Sequence, residues 1–411
     1  MTATLMTETQ TGYKQTKLGW IPEEWEVVRL SEISAKIMVG IASSATHAYR
    51  DSGIVLIRNQ NIKNGYLDDS DLLFIDSGYE LAHKNKRLQA GDLLTARTGY
   101  PGATCVVPEK YENAQSFTTL ITRPLHDLVL NAYLSFYINS SFGKSFFDRS
   151  QIGGGQKNVN SSTLATMPIP LPPLPEQQRI AAILGTWDRA IGQLEDLLAA
   201  KETQLKGLMQ RLLTGAVRLA GFEGAWEEVR LGQILKESKD VGLGADPSMR
   251  LTVKLNLKGV TNRAVRGTEV EGATIYYRRK AGQFIYGKQN LHKGALGLIP
   301  SEYDGYESSS DIPSFDFKAG YDPTYFVMYV SRPNFYEHLE VLATGTGSKR
   351  IKPRVLLKKT VNIPTLKEQK AIAGVLSAGQ TELQLLYQKL AGLREQQRGL
   401  MARLLTGAVR V

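Results

Sequence analysis

Residues 207–218 read GLMQRLLTGAVR and residues 399–410 read GLMARLLTGAVR. The two blocks begin 192 residues apart and differ only at Gln210 against Ala402. Twelve residues do not agree that closely by chance, so the chain carries a duplicated unit. The same offset runs upstream without a gap. Glu176-Gln177 aligns with Glu368-Gln369, Ile180-Ala181 with Ile372-Ala373, Pro172-Pro173-Leu174 with Pro364-Thr365-Leu366, and Gly155-Gln156-Lys157 with Gly347-Ser348-Lys349. Each copy opens on a second match, Trp25-Glu26-Val27-Val28-Arg29-Leu30 against Trp226-Glu227-Glu228-Val229-Arg230-Leu231. A weaker third match pairs Gly91-Asp92-Leu93-Leu94 with Gly282-Gln283-Phe284-Ile285. Solenoid repeats recur every 20–50 residues; a period this long means duplicated domains.

The stretch between lead-in and block is strongly helical in pattern. After PIPLPPLPEQQ the apolar seam is Ile180, Leu184, Trp187, Ile191, Leu194, Leu198, Lys201, Leu205, Leu208 and Leu212. After NIPTLKEQK it is Ile372, Leu376, Gly379, Leu383, Leu386, Leu390, Leu393, Gln397, Leu400 and Leu404. Both step by alternating four and three, the heptad spacing of a coiled coil. Pro175 suits a first helical turn, and Gly215 and Gly407 are placed to end the helices. Each helix would run about 38 residues, roughly 57 Å. The simpler reading is two unrelated surface helices, but a domain of this size cannot cover so long a seam. Antiparallel pairing follows from a two-fold perpendicular to them. One register it permits sets Trp187 against Gln397 and Leu205 against Gly379.

The interiors between these frames have diverged. IVLIRNQNI (54–62), DLLFI (71–75), GDLLTA (91–96) and ATCVV (103–107) read as strands, and 130–147 as a helix. The second interior offers strands at LTVKLNL (251–257), ATIYYRRK (273–280), QFIYGK (283–288) and ALGLIP (295–300), with a helix over 324–339. The class expected is therefore α/β (α+β), with two globular α/β domains, a pair of long antiparallel coiled-coil helices separating them, and a pseudo-two-fold internal repeat. The expected boundaries are an N-terminal segment 1–25, a first domain 26–168, a first long helix 169–218, a second domain 219–358 and a second long helix 359–411.

Composition narrows the partner. The net charge is +10 over 411 residues, which favours a polyanion, because Lys and Arg neutralise phosphate. A duplicated chain can grip a target that itself has two halves, and duplex DNA is the first candidate. The single cysteine, Cys105, excludes an internal disulfide framework and fits a reducing, cytoplasmic setting. No apolar run approaches the roughly 20 residues of a membrane span, and the polar N-terminus lacks a signal-peptide apolar region.

Basic residues interleave with amides and aromatics at several loops. The first domain offers Arg58-Asn59-Gln60-Asn61, Lys84-Asn85-Lys86-Arg87, Arg97-Thr98-Gly99-Tyr100 and Gln156-Lys157-Asn158. The second offers Tyr276-Tyr277-Arg278-Arg279-Lys280, Tyr286-Gly287-Lys288-Gln289-Asn290 and Ser348-Lys349-Arg350. Arg and Lys can bridge guanine O6 and N7, and Asn or Gln adenine N6 and N7; the same side chains also hold phosphates. Any one of them taken alone is more simply a solvated surface charge.

Catalytic motifs are weak. Gly282 to Lys288 resembles the start of a phosphate loop, but Gln289 stands where Ser or Thr would hold magnesium. The five histidines show no metal-ligand spacing, and no Asp/Asn-Pro-Pro-aromatic methyltransferase tetrapeptide occurs. Glu368-Gln369-Lys370 could mimic a nuclease Glu-x-Lys, but it sits at a helix start, where acidic residues favour the dipole.

The segments LPPLPEQQRIAAIL and IPTLKEQKAIAGVL, the LLTGAVR blocks and the opening GWIPEEWEVVRLSEI resemble the specificity (S) subunit of type I restriction-modification enzymes. The second lead-in departs from the pattern at Thr365 and Lys367. The resemblance implies that each globular part is a target recognition domain reading one half of a bipartite, asymmetric site in double-stranded DNA. It also implies that the paired helices set the spacer and dock two modification (methyltransferase) subunits. S-adenosylmethionine would sit on those partners, with ATP and Mg used once restriction subunits join, and no cofactor on this chain. The chain itself would be non-catalytic. Alternatives are the specificity subunit of a type IIB-like system, a standalone DNA-acting enzyme such as a nuclease, and a coiled-coil scaffold that does not bind DNA.

Overall fold

The computed structural model describes residues 11–99, 101–150, 158–242, 244, 246–265, 267, 274–344 and 349–411. The chain divides into two compact units, Met1–Glu195 with Gln388–Val411, and Asp196–Tyr387. Each unit takes the beginning of one long helix and the end of the other.

The two long helices span Leu174–Leu212 and Leu366–Leu404, 39 residues each. Their prolines fall where expected: Glu176 and Gln177 donate their N–H groups to Pro173 O, at 2.9 and 3.1 Å, so the first turn closes around the proline pair. In the first unit Asp188 accepts from Gln397 and Glu195 pairs with Arg394. In the second Lys201 pairs with Glu382 at 2.7 Å, and Tyr387 bonds Glu202. In the first unit rising numbers on one helix thus meet falling numbers on the other, and in the second Glu202 meets Tyr387 while Leu205 lies over Gly379, which is antiparallel pairing. Seam residues Ile180, Leu184, Ile191, Leu194, Leu198, Leu212, Ile372, Leu376, Leu390 and Leu404 are buried. Trp187, Leu205, Leu208, Leu383, Leu386, Leu393 and Leu400 are half-buried. At the helix ends the seam also enters the domain cores, through Ile180, Leu184 and Leu404 in the first unit and Leu212, Ile372 and Leu376 in the second.

The expected register holds at one of its two pairs. A Cβ built on Gly379 would lie 2.9 Å from Leu205 Cδ1, so the large residue does pack over the small one. At the other, Gln397 Nε2 donates to Asp188 Oδ1 at 2.6 Å. A charged acceptor one residue on from Trp187 takes the amide, as the stronger partner should.

The first unit holds an antiparallel sheet in the order Ser34–Val39, Leu120–Pro124, Leu93–Thr95, Thr104–Val106. The second unit repeats it as Leu235–Ser238, Ser314–Phe317, Phe284–Tyr286, Leu296–Leu298. Before each sheet comes a two-stranded ribbon, Glu26–Arg29 with Pro168–Leu171 and Glu227–Arg230 with Thr360–Ile363. The weak third sequence match is structural as well. Gly91 and Gly282 both take positive φ, +87° and +79°, just ahead of equivalent strands.

Beyond this frame the units differ. The first adds a second four-stranded sheet, Gln115–Phe117, Ile54–Arg58, Leu73–Ile75, Tyr49–Arg50, with one parallel pair. Among the described residues the second has two hairpin-like ribbons instead, Leu251–Val253 with Val260–Asn262 and Tyr276–Arg278 with Glu307–Ser309. The helix expected over 130–147 is two, Asn131–Asn139 and Ser141–Ser150. The chain bends at Ser140 and brings Gly143 onto Ile138, where a Cβ would sit 2.0 Å from the carbonyl oxygen. The helix expected over 324–339 stops at Val330 and restarts at Pro333, because the residue before proline is steered out of helical geometry. The strand expected over 251–257 ends at Val253. Asn256 and Leu257 turn the chain with φ of +58° and +57°.

The duplicated blocks form one socket in each unit. In the first, Arg410 forks onto Glu176 at 2.7 and 3.0 Å, and Trp25 Nε1 donates to the same carboxylate at 3.0 Å. In the second, Arg218 forks onto Glu368 at 2.6 and 2.7 Å. Both glutamates are almost fully buried. The neighbouring glutamines act alike too. Gln177 accepts from Leu130 N–H and donates to Leu128 O and Pro172 O. Gln369 accepts from Asp322 N–H and donates to Pro364 O and Gly320 O. Gly407 has φ +69°, and a Cβ there would lie 2.4 Å from Pro22 and 3.3 Å from Trp25; Gly215, at φ +73°, lies as close to Trp226. The block of each repeat therefore closes the domain that belongs to the other repeat.

Candidate nucleic-acid interface

In the first unit the strand Ile54–Arg58 runs into a tight turn over Asn59–Asn61. Asn61 is buried; it accepts from Arg58 N–H and donates to the carbonyls of Asp68 and Asp71. Asn59 donates to Thr118 and accepts from Arg97 N–H at 2.7 Å. Arg58 is tied to Asp71 at 2.9 Å. These three side chains build the turn, and Asn61 is removed from the set of contact residues by its burial. Gln60 stays exposed, with one bond to Asp71 at 2.8 Å.

The cluster Lys84 to Arg87 divides the same way. Arg87 grips the buried Glu80 through two bonds of 2.6 and 2.8 Å, and Lys86 donates to Gly40 O at 2.8 Å. Lys84 is exposed without a side-chain partner among the described residues. Arg97 donates from Nε to Val159 O at 3.2 Å. Asn158 is half-buried, and its Oδ1 has no partner among the described residues. Tyr100 and Lys157 lie outside the described residues.

What the fold brings together is a cleft of about 1250 Å³ within the first unit. Asn59, Gln60, Thr98 and Gly99 line it from the domain, Asp188, Arg189 and Arg394 from the helices. Burial of the Asp188 carboxyl raises it above its usual range, against the lowering effect of the Gln397 amide. Among the lining residues that the sequence did not single out are Lys63, Asn64 and Tyr66, the last 61% exposed, and the helix residues Asp188, Arg189 and Arg394. The Asn64-Gly65 pair beside an aromatic was the available signal.

The second unit corrects two candidates. Arg279 is 1% exposed. It donates to Ser308 Oγ, Ser314 Oγ, Ser238 O and Ile312 O at 2.7–3.1 Å, and burial pulls its pKa down to about 10. Tyr286 is fully buried in the central strand and donates to Ile351 O at 2.9 Å. Both hold the domain together and present nothing to a ligand. Tyr276 and Tyr277 are half-buried with a guanidinium over each ring, Arg250 at 4.3 Å and Arg279 at 5.2 Å. Arg278, Lys280, Gln289 and Lys349 are exposed, and Lys288 and Asn290 are half-buried. Arg350 pairs with Asp311 at 3.2 Å. The loops carrying Lys288 and Lys349 are joined, since Ile351 N–H donates to Lys288 O at 2.9 Å.

A duplicated α/β scaffold whose repeated parts are structural and whose diverged loops carry open cations and amides defines a recognition protein for a bipartite polyanion. A family model for the type I restriction modification DNA specificity domain matches residues 22–200. A Methanocaldococcus jannaschii chain assigned as the MjaX type I restriction enzyme specificity subunit is 25% identical over 97% of each chain. The EcoKI specificity subunit of Escherichia coli is 22% identical over 86% of this chain and 82% of that one. Among solved structures, the HsdS subunit from Thermoanaerobacter tengcongensis gives a TM-score of 0.51 at 16% identity, over 95% of this chain and 98% of that one. The type I S subunit from M. genitalium gives 0.57 at 11% identity, over 92% and 96%. Residues 22–200 match the type I DNA specificity domain, and along nearly its whole length the chain is similar to type I restriction-modification specificity subunits, which are DNA-recognition rather than catalytic subunits. A type IIB-like system is not favoured by these matches. No helix among the described residues is long and apolar enough to cross a membrane.

Proposed function

We propose that the chain reads a bipartite, asymmetric site in duplex DNA, one half with the domain at 26–168 and the other with the domain at 219–358. The observation that carries this reading is the contrast between one sheet and socket, present in both units, and the unlike loops mounted on them. Identical scaffolds with different reading loops suit two different half-sites. The long helices act as a ruler for the unread spacer and as the docking surface for two modification subunits. Those subunits carry S-adenosylmethionine and methylate adenine. Restriction subunits joining the complex bring its ATP- and Mg-dependent cleavage, and the whole works in the cytoplasm.

Mapping methylated adenines across a genome that expresses this chain with its modification subunit tests the reading. The expected result is one motif with two unlike halves and a constant gap. A continuous or palindromic motif overturns it.

A further inference from the structure

The second unit carries a cationic platform that the sequence clusters only partly include. Its hairpin Leu251–Val253/Val260–Asn262 ends in the tip Lys254-Leu255-Asn256-Leu257-Lys258. Val253 and Val260 anchor it on Ile285 and Ile299 of the domain core. The tip is then stitched to the next loop, as Asn256 N–H donates to Lys293 O and Leu257 N–H to Gly294 O, both at 2.9 Å. Gly294 is required there: a Cβ would sit 3.0 Å from Leu257 N. Lys254, Lys258 and Lys293 are exposed, and none has a side-chain partner among the described residues. Leu255 and Leu257 stand 41% and 39% exposed between these cations.

This arrangement works against the isolated fold. Left-handed geometry is unfavourable for a bulky leucine, and two exposed leucines gain nothing from water. Strained backbone of this kind persists where the surroundings over-determine it, here through the two bonds to Lys293 and Gly294. A rigid apolar point ringed by three unpaired ammonium groups matches a groove of duplex DNA. Phosphates line its rims and apolar base and sugar surface its floor.

We propose that the tip 254–258 of the second unit inserts into a groove of the bound DNA. Lys254, Lys258 and Lys293 hold flanking phosphates, and Leu255 and Leu257 pack on the groove floor. The inference rests on the DNA-recognition reading and adds to it a contact element. Two variants of the full chain, each assembled with its methyltransferase subunits, separate the parts. The probes are a duplex carrying the methylation-mapped site and a mixed-sequence duplex of equal length. Replacing all three lysines by alanine should weaken binding to both duplexes by on the order of 100-fold at physiological salt, and reduce the log–log salt slope by about 2.7. The double change Leu255→Ser with Leu257→Asn should leave the salt slope unchanged and weaken binding to the mapped site by about tenfold. Asparagine tolerates the left-handed position, so this variant should melt no lower than the parent. Unchanged slope and affinity in the lysine variant overturn the phosphate contacts. Unchanged affinity in the leucine variant overturns the apolar insertion. A parent complex with no salt-dependent DNA binding overturns the recognition reading itself, before the tip is at issue.

Discussion

Arg279 carries its charge into the interior of the second unit, where among the described residues it bonds hydroxyls and carbonyls and no carboxylate. Its neighbour Arg278 points the same chemistry at solvent. Adjacent positions alternate sides on a strand, so a run of basic residues in sequence splits into a buried member and a free one. Arg87 is a third case, half-buried on a fully buried acid. The Arg87 hydrogen bonds hold the Glu80 carboxyl below its usual range, with Gln115 contributing, against the raising effect of burial. A carboxyl lowered on folding adds stability above its unfolded pKa, and that stability is lost as pH falls through the lower folded value. Arg87→Ala should therefore lower stability at neutral pH, because it leaves the buried Glu80 carboxylate without its cation. In urea titrations the difference from the parent should shrink as pH falls below the usual carboxylate range and Glu80 becomes neutral in both. A variant of parental stability that instead loses DNA affinity would return Arg87 to the contact set.

The sockets decide the behaviour of the long helices. Each couples a buried glutamate at one helix start to an arginine beyond the other helix end, and a fork–carboxylate bond is geometrically demanding. Arg410→Ala and Arg218→Ala should each lower stability, because each leaves a buried glutamate without its cation. Hydrogen exchange should rise around Trp25 in the first variant and around Trp226 in the second; exchange unchanged at both sites would refute the socket account. The same elements carry the ruler reading. Adding one heptad at matched positions of both helices adds about 10 Å to each and keeps the seam in phase. The methylated motif should then have a longer gap between unchanged halves, read by the same adenine mapping. A gap of the original length would mean that the helices do not set it.

At the scale of the whole molecule, function rests on separability. The core sheet of each unit is closed by its own ribbon and socket, so the reading loops can change without disturbing the frame. Exchanging residues 30–165 for the first domain of another specificity subunit should alter one half of the methylated motif and leave the other intact. Motif sequencing after the exchange would show both halves altered if the domains did not read independently.

The duplicated architecture was legible in the chain itself: both long helices and their length of about 38 residues, though not their bounds, the weak Gly91/Gly282 match and the Leu205–Gly379 pairing. Heptad periodicity, helix-ending glycine and repeated spacing are local properties, and a linear reading recovers them. Two things were decided only by the tertiary structure. One is the job of the repeated GLMxRLLTGAVR block, which closes the domain of the opposite repeat through contacts 150 and 234 residues apart that no local pattern encodes. The other is which cations remain available. Lys86 and Arg279 meet acceptors that folding brings from strands and loops tens of residues away, and Arg58 and Arg87 carboxylates from neighbouring segments, whereas Lys254, Lys258 and Lys293 meet none among the described residues. A charge is counted in sequence, but whether it is free to bind depends on what folding places beside it.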